Sequence, residues 1–246
     1  MALVTRHWSG KQHAVVQGIN LISLVWTEGD AAFPCDFRLY NKVNDDLSKN
    51  DHFRALLETA KARGFAPSLV AFDSWYSSLE NLKLVRECEW DWLTRLKSNR
   101  QVSLRAGEPQ AVSDLDIPRA GLLVHLRGYG LVKLFRTVDP HGNAEHWATN
   151  RLNMTEAQRE ILSARAWLIE TYHRALKQFT GVEAGQFRLE CSQRNHIALA
   201  PRAYVRLEFH LSAASSTLFV QQFGFTWHIP RIAFPQLRNF YVYKQL

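Results

Sequence analysis

Along the first hundred residues, short apolar blocks alternate with one helical spacing. Val15 and Val16 lead into Gly18, and Ile19 to Trp26 is rich in strand formers. Thr27-Glu28-Gly29-Asp30 supplies turn chemistry, and Phe33 to Tyr40 alternates again, so residues 14–40 are predicted as a β-hairpin. From Asp51 to Arg63, Phe53, Leu56, Leu57 and Ala60 recur at helical spacing, and Gly64 stops the helix. Pro67 then opens Leu69-Val70-Ala71-Phe72, a short continuous apolar run that suits a strand buried on both faces and ends at Asp73. Ser77 or Ser78 can cap a helix from Leu79 to Glu87, and Trp90 to Lys97 reads as a further strand. Strand, helix, strand at these lengths predicts a βαβ unit in an α/β fold.

The pattern changes after residue 97. Gly107, Pro109, Pro118, Gly121, Gly128, Gly130, Pro140 and Gly142 punctuate short apolar runs at Leu122 to Leu126 and Leu131 to Phe135. Residues 98–150 therefore read as a β-rich insertion, because a structureless loop of that length is uncommon in a compact domain. Thr155 precedes one long helical pattern through Gln178, ended by Gly181, and a second helix is predicted from about Gln193 to His210 with Pro201 inside it. The chain divides into residues 1–97 and 151–210 as two parts of one core, the insertion at 98–150, and a tail at 211–246 rich in aromatic and β-branched residues.

Composition narrows the class. The chain of 246 residues is 46% hydrophobic and 22% charged, which predicts a packed core. Its formal charge of +7 favours a polyanionic partner. Eight tryptophans and fourteen phenylalanines can stack on bases, although core packing accounts for most of them. Cys35, Cys88 and Cys191 are widely spaced and odd in number, which fits a reducing, cytoplasmic compartment better than disulfides or zinc. His141 and His146 lie in a Pro/Gly-rich stretch that reads as a solvated loop. No apolar run has membrane-spanning length.

Two acids carry candidate chemistry. In the helix W-L-I-E-T-Y-H-R-A-L-K-Q, Trp167, Glu170, Arg174 and Lys177 fall within a sector of about 80°, while Leu168, Ile169, Tyr172, Leu176 and Phe179 form an apolar stripe opposite. Glu170 with Arg174 is also an ordinary i,i+4 pair, and Asp73 is also a plausible helix cap. Together, a carboxylate at a strand end and one on a helix can meet around Mg²⁺, and two such ions can activate a water against a phosphodiester.

The segments V-T-R-H-W-S-G-K, G-I-N-L-I-S-L-V-W-T-E-G-D, V-A-F-D-S-W-Y-S-S-L-E-N, W-L-T-R-L-K-S-N-R, Y-H-R-A-L-K-Q-F-T-G-V-E and Q-R-N-H-I-A-L-A resemble, in order, the DDE-type transposases of bacterial insertion sequences with a Tyr-Arg-Glu-Lys signature. The resemblance implies a ribonuclease-H-like core, a mixed sheet flanked by helices and interrupted by the insertion. It also implies metal-dependent phosphodiester cleavage and strand transfer with two Mg²⁺ or Mn²⁺ ions. Asp73 and Glu170 match the second and third catalytic, metal-binding acids. DNA contacts are implied for Lys177, Arg174, Tyr172 and Trp75. The implied partners are insertion-sequence ends and target DNA, bridged by a homodimer in a bacterial, nucleoid-associated setting.

The chain departs from the family pattern in several places. The signature's tyrosine and arginine positions hold Ser163 and Ala166, and the likeness fades after about Glu208. The first acid belongs on an opening strand, yet only Met1, Ala2 and Leu3 precede the first matching segment, and Asp30 and Asp36 sit in or after the hairpin turn. The first core strand is therefore expected to be missing, leaving two open strand edges inside the sheet. Weak or absent cleavage follows, with a non-catalytic DNA-binding fragment or an inert remnant as alternatives.

Overall fold

The computed structural model describes residues 1–9, 13–29, 31–105, 107–139, 142–213 and 239–244. Strands β1 (Thr5–Ser9) and β2 (Ala14–Gly18) form a small antiparallel hairpin of their own. The predicted hairpin is the next pair, β3 (Asn20–Glu28) with β4 (Ala31–Tyr40), turned at Gly29, whose φ of 61° is the left-handed value that glycine takes without strain. The chain then runs through α1 (Lys49–Ala62), β5 (Leu69–Phe72), α2 (Leu79–Glu87) and β6 (Asp91–Leu96). Strand β6 lies parallel to β5, which is the predicted βαβ unit. Ser48 caps α1 in a reciprocal box with Asp51, and Ser78 caps α2 by accepting from the Asn81 amide.

The described residues of 98–150 hold five strands, and these extend the same sheet. Strands β7 (Gln101–Ser103), β8 (Pro109–Ala111), β9 (Leu122–Leu126), β10 (Gly130–Val138) and β11 (Ala144–Thr149) are all antiparallel, and β11 pairs directly with β6. His146 is thus a buried strand residue opposite Arg136 and not a loop residue; His141 lies outside the described residues. The single helix predicted through Gln178 is two, α3 (Glu156–Arg165) and α4 (Trp167–Phe179). They part at Ala166, whose amide bonds back three residues to Ser163, a tightened last turn. Helix α5 spans Glu190–Ala213.

Strand β12 (Asn239–Lys244) lies between β3 and β5, so the ten strands run β4-β3-β12-β5-β6-β11-β10-β9-β7-β8. It is antiparallel to β3 at six positions, from Asn239 opposite Thr27 to Lys244 opposite Ile22, and parallel to β5 from Asn239↔Leu69 to Val242↔Phe72. The expectation of two open edges is therefore overturned. Unpaired amides and carbonyls at the centre of a buried sheet are costly, and the aromatic, β-branched run of β12 pairs with both edges.

Helices cover both faces of the sheet. On one face, Phe53, Leu56 and Leu57 of α1 and Leu82 and Val85 of α2 pack on Ile22, Leu24, Val70, Phe72 and Trp92. On the other, Ile169, Tyr172 and Leu176 of α4 and Tyr204 of α5 pack on Leu21, Val25, Leu69, Ala71 and Leu93. Every residue of β5 is buried, as its unbroken apolar run predicts.

Candidate functional site

Strand alternation builds the site. Asp73 follows β5 with a still-extended backbone (φ −67°, ψ 155°) and stands two residues beyond Ala71, which places it on the face that α4 covers. Arg95 stands two residues beyond Leu93 on the same face of β6, and the parallel register Phe72↔Thr94 makes it the next neighbour of Asp73. Trp147 of β11 is opposite Arg95, and Phe135 of β10 is opposite Trp147. On the other side, position 243 of β12 is opposite Ser23 of β3, and one step beyond Val242↔Phe72 it is the neighbour of Asp73. A single row thus crosses six strands: Ser23, Tyr243, Asp73, Arg95, Trp147, Phe135.

Charge in this row is already matched within the protein. Arg95 lies 3.7 Å from Asp73 Oδ1 and 2.6 Å from Glu145 Oε1, with its guanidinium 5.7 Å from the Trp147 ring centre. The Ser74 hydroxyl donates to Asp73 Oδ1 at 3.1 Å, and Asp73 makes no side-chain cap to the short turn that follows. Tyr76, buried beneath, has its phenol pushed far above the ordinary range by burial and, secondarily, by the Asp73 charge.

Glu170 of α4 is half-buried. No hydrogen bond or ion pair of Glu170 is present among the described residues, including the i,i+4 pair with Arg174 that its spacing allows. Arg174 instead lies with its guanidinium 5.9 Å from the ring centre of exposed Trp167. Lys177 is exposed and ion-pairs with Glu183 at 3.0 Å. Trp75 is 52% exposed, with the Lys49 ammonium 5.9 Å from its ring.

Tyr172 is a correction. It is 1% exposed and packs edge-on against Tyr204 at 5.0 Å, so it belongs to the apolar stripe and presents no surface to DNA. Its neighbour His173 is buried too, with Nε2 3.1 Å from the Ser23 hydroxyl, which ties α4 to β3 beside position 243.

The donor set does not fit a two-ion centre. Asp73 and Glu170 neither hydrogen-bond nor ion-pair with each other. Strand β12, the strand next to Asp73, contains no aspartate or glutamate. Among the described residues, no three His, Cys, Asp or Glu side chains stand close enough to hold a metal. Asp36, on β4, is taken up by Arg38 and Arg63. Arg95, Glu145 and Trp147 are the site residues that sequence reasoning misses. Arg95 lies in a motif segment, but only the register of β5, β6 and β11 brings the three to Asp73. A polar cleft of about 530 Å³ around Asp45, His52 and Arg194 lies elsewhere and contains none of these groups.

The sheet order, with its three central parallel strands β12, β5 and β6, antiparallel hairpin edge and helices on both faces, is ribonuclease-H-like. Residues 6–205 match the transposase DDE domain, and the chain belongs to that family. Members of that family generally depend on divalent metal. The fold is similar to that of the cryo-electron-microscopy structure of a piggyBac transposase synaptic complex with hairpin DNA (TM-score 0.53, 10% identity). That likeness covers 87% of this chain and 45% of the other, so the chain spans under half of that protein's length. No curated protein sequence matches the chain. Among the described residues, no helix is long and apolar enough to cross a membrane.

Proposed function

We propose that this chain acts in DNA transposition as a DDE domain that engages duplex DNA without cutting it. The observation that carries this reading is the row beside Asp73: a guanidinium on one side and an acid-free strand on the other. A carboxylate already facing Arg95 offers a cation less charge, and Glu170 alone cannot supply the rest of a two-ion site. Arg174, Lys177, Trp75 and Trp167 are exposed, and the net charge of +7 favours the phosphate backbone. The piggyBac structure holds hairpin DNA, which supports a DNA partner here. By the family resemblance that partner is insertion-sequence ends and target DNA, engaged by a homodimer. Mg²⁺ or Mn²⁺ would be the metal of a complete site, with Asp73 and Glu170 as two of its ligands.

Anisotropy titrations of a labelled duplex in EDTA test the first half. Binding should persist without metal and weaken linearly in log–log form as salt rises. A supercoiled-plasmid assay in Mg²⁺ or Mn²⁺ tests the second half, with no nicking expected. Metal-dependent nicking that Asp73→Ala abolishes would end the non-cutting reading, and absence of metal-free binding would end the DNA reading.

A further inference from the structure

The family match ends at residue 205, yet a strand from beyond it, β12, holds the centre of the family's sheet. We infer that position 243 is a ligand position of the candidate site, and that tyrosine there keeps Asp73 and Glu170 from binding a divalent cation. This deepens the reading of a DNA-engaging site that does not cut.

Three backbone observations converge on position 243. It pairs with Ser23, and directly opposed residues of antiparallel strands share a face. Ser23 lies between Leu21 and Val25 of the α4-side core, and its hydroxyl touches His173 of α4. Asp73 is on that face too, one step past the last β12–β5 pair, and α4, the helix that carries Glu170, packs on the same face. Residue 243 is therefore the position of β12 that lies beside Asp73 on the face covered by the Glu170 helix. A carboxylate there would give three acids from two adjacent strands and one helix, the oxygen-rich donor set that Mg²⁺ and Mn²⁺ take. With tyrosine at 243 and Lys244 after it, β12 completes the sheet without supplying that acid.

The test is metal binding by the full chain, read as free Mn²⁺ by electron paramagnetic resonance. Wild-type protein is expected to bind no Mn²⁺ that depends on Asp73. Tyr243→Asp should raise Mn²⁺ affinity about 10–100-fold or more, because losing even an outer-shell partner of a metal site costs that much. Adding Asp73→Asn to Tyr243→Asp should remove the gain. A folded Tyr243→Asp chain without the gain, a gain indifferent to Asp73, or Asp73-dependent Mn²⁺ binding by wild type would each overturn the inference. If Tyr243→Asp does not fold, hydrogen exchange on wild type decides. Protection of 239–244 matching that of 69–72 supports the seating of β12, and free exchange there overturns it. DNA anisotropy on the same preparations reports the broader reading separately, since loss of metal-free DNA binding would sink that reading and leave the Mn²⁺ result standing.

Discussion

Arg95 is the residue on which the site turns. It is a strand residue whose guanidinium joins Asp73 to Glu145 and lies over Trp147, so it neutralises two carboxylates, one just past β5 and one on β11. Its side chain is 37% exposed, and an ion pair that wet contributes little to stability, at most about 1 kcal/mol. Arg95→Ala should therefore melt within a few degrees of wild type. Because Asp73 and Glu145 already take up its charge, Arg95→Ala should leave the slope of log affinity against log salt nearly unchanged. A slope lowered by about one would place Arg95 in the DNA contact. His146, nearby on β11, gives a pH prediction. Burial first, and then Arg136 directly across the ladder, hold its imidazole below the ordinary value of 6.5. The unfolded chain then takes up the proton before the folded one. Stability from the neutral imidazole is present above about pH 6.5 and is lost as pH falls through that value toward the lower folded pKa. Melting temperature should drop between about pH 7.5 and about pH 5.5, and His146→Gln should flatten that drop.

At the scale of elements, α4 separates packing from contact. Tyr172 fills the space between α4 and α5, so Tyr172→Ala should cost about 3–5 kcal/mol, measured by urea unfolding. Arg174→Ala and Lys177→Ala should leave stability nearly unchanged and weaken DNA binding, which is the reverse signature. Similar destabilisation by all three would mean the exposed face is structural as well. The wheel of α4 was legible in the sequence because it depends only on local period, and Tyr172 already stood in the apolar stripe. Strand β5 was legible for the same reason, as four apolar residues in a row need burial on both faces. The break at Ala166 was not, because Ala is the best helix former and the interruption is a matter of how α3 and α4 pack. Asp73 stood out because it ends the β5 run, but its partners did not. The pairing of β5 with β6 and of β6 with β11 is set by register between distant segments, which one sequence does not display.

For the whole molecule the same limit explains β12. The run Asn-Phe-Tyr-Val-Tyr-Lys has a strand's composition, but nothing local connects it to β3 or β5. The connection is energetic. Without β12, the facing edges of β3 and β5 would expose a row of unpaired amides and carbonyls between two apolar faces, Leu21, Ile22, Leu24 and Val25 on one strand and Leu69 to Phe72 on the other. Each buried unmade hydrogen bond costs about 1–3 kcal/mol, so a handful of them equals the whole stability of an ordinary domain, about 5–15 kcal/mol. Two outcomes are open to such a chain: the edges close on each other with loss of register to the helices above and below, or they pair with another molecule. A chain ending at residue 238 should therefore lose its cooperative melt and scatter light as an aggregate, whereas the full chain should melt cooperatively. Circular dichroism and light scattering on the two chains decide between the alternatives. A shortened chain that stays monomeric and melts cooperatively would mean that the sheet closes without β12, and that position 243 has no part in the site beside Asp73.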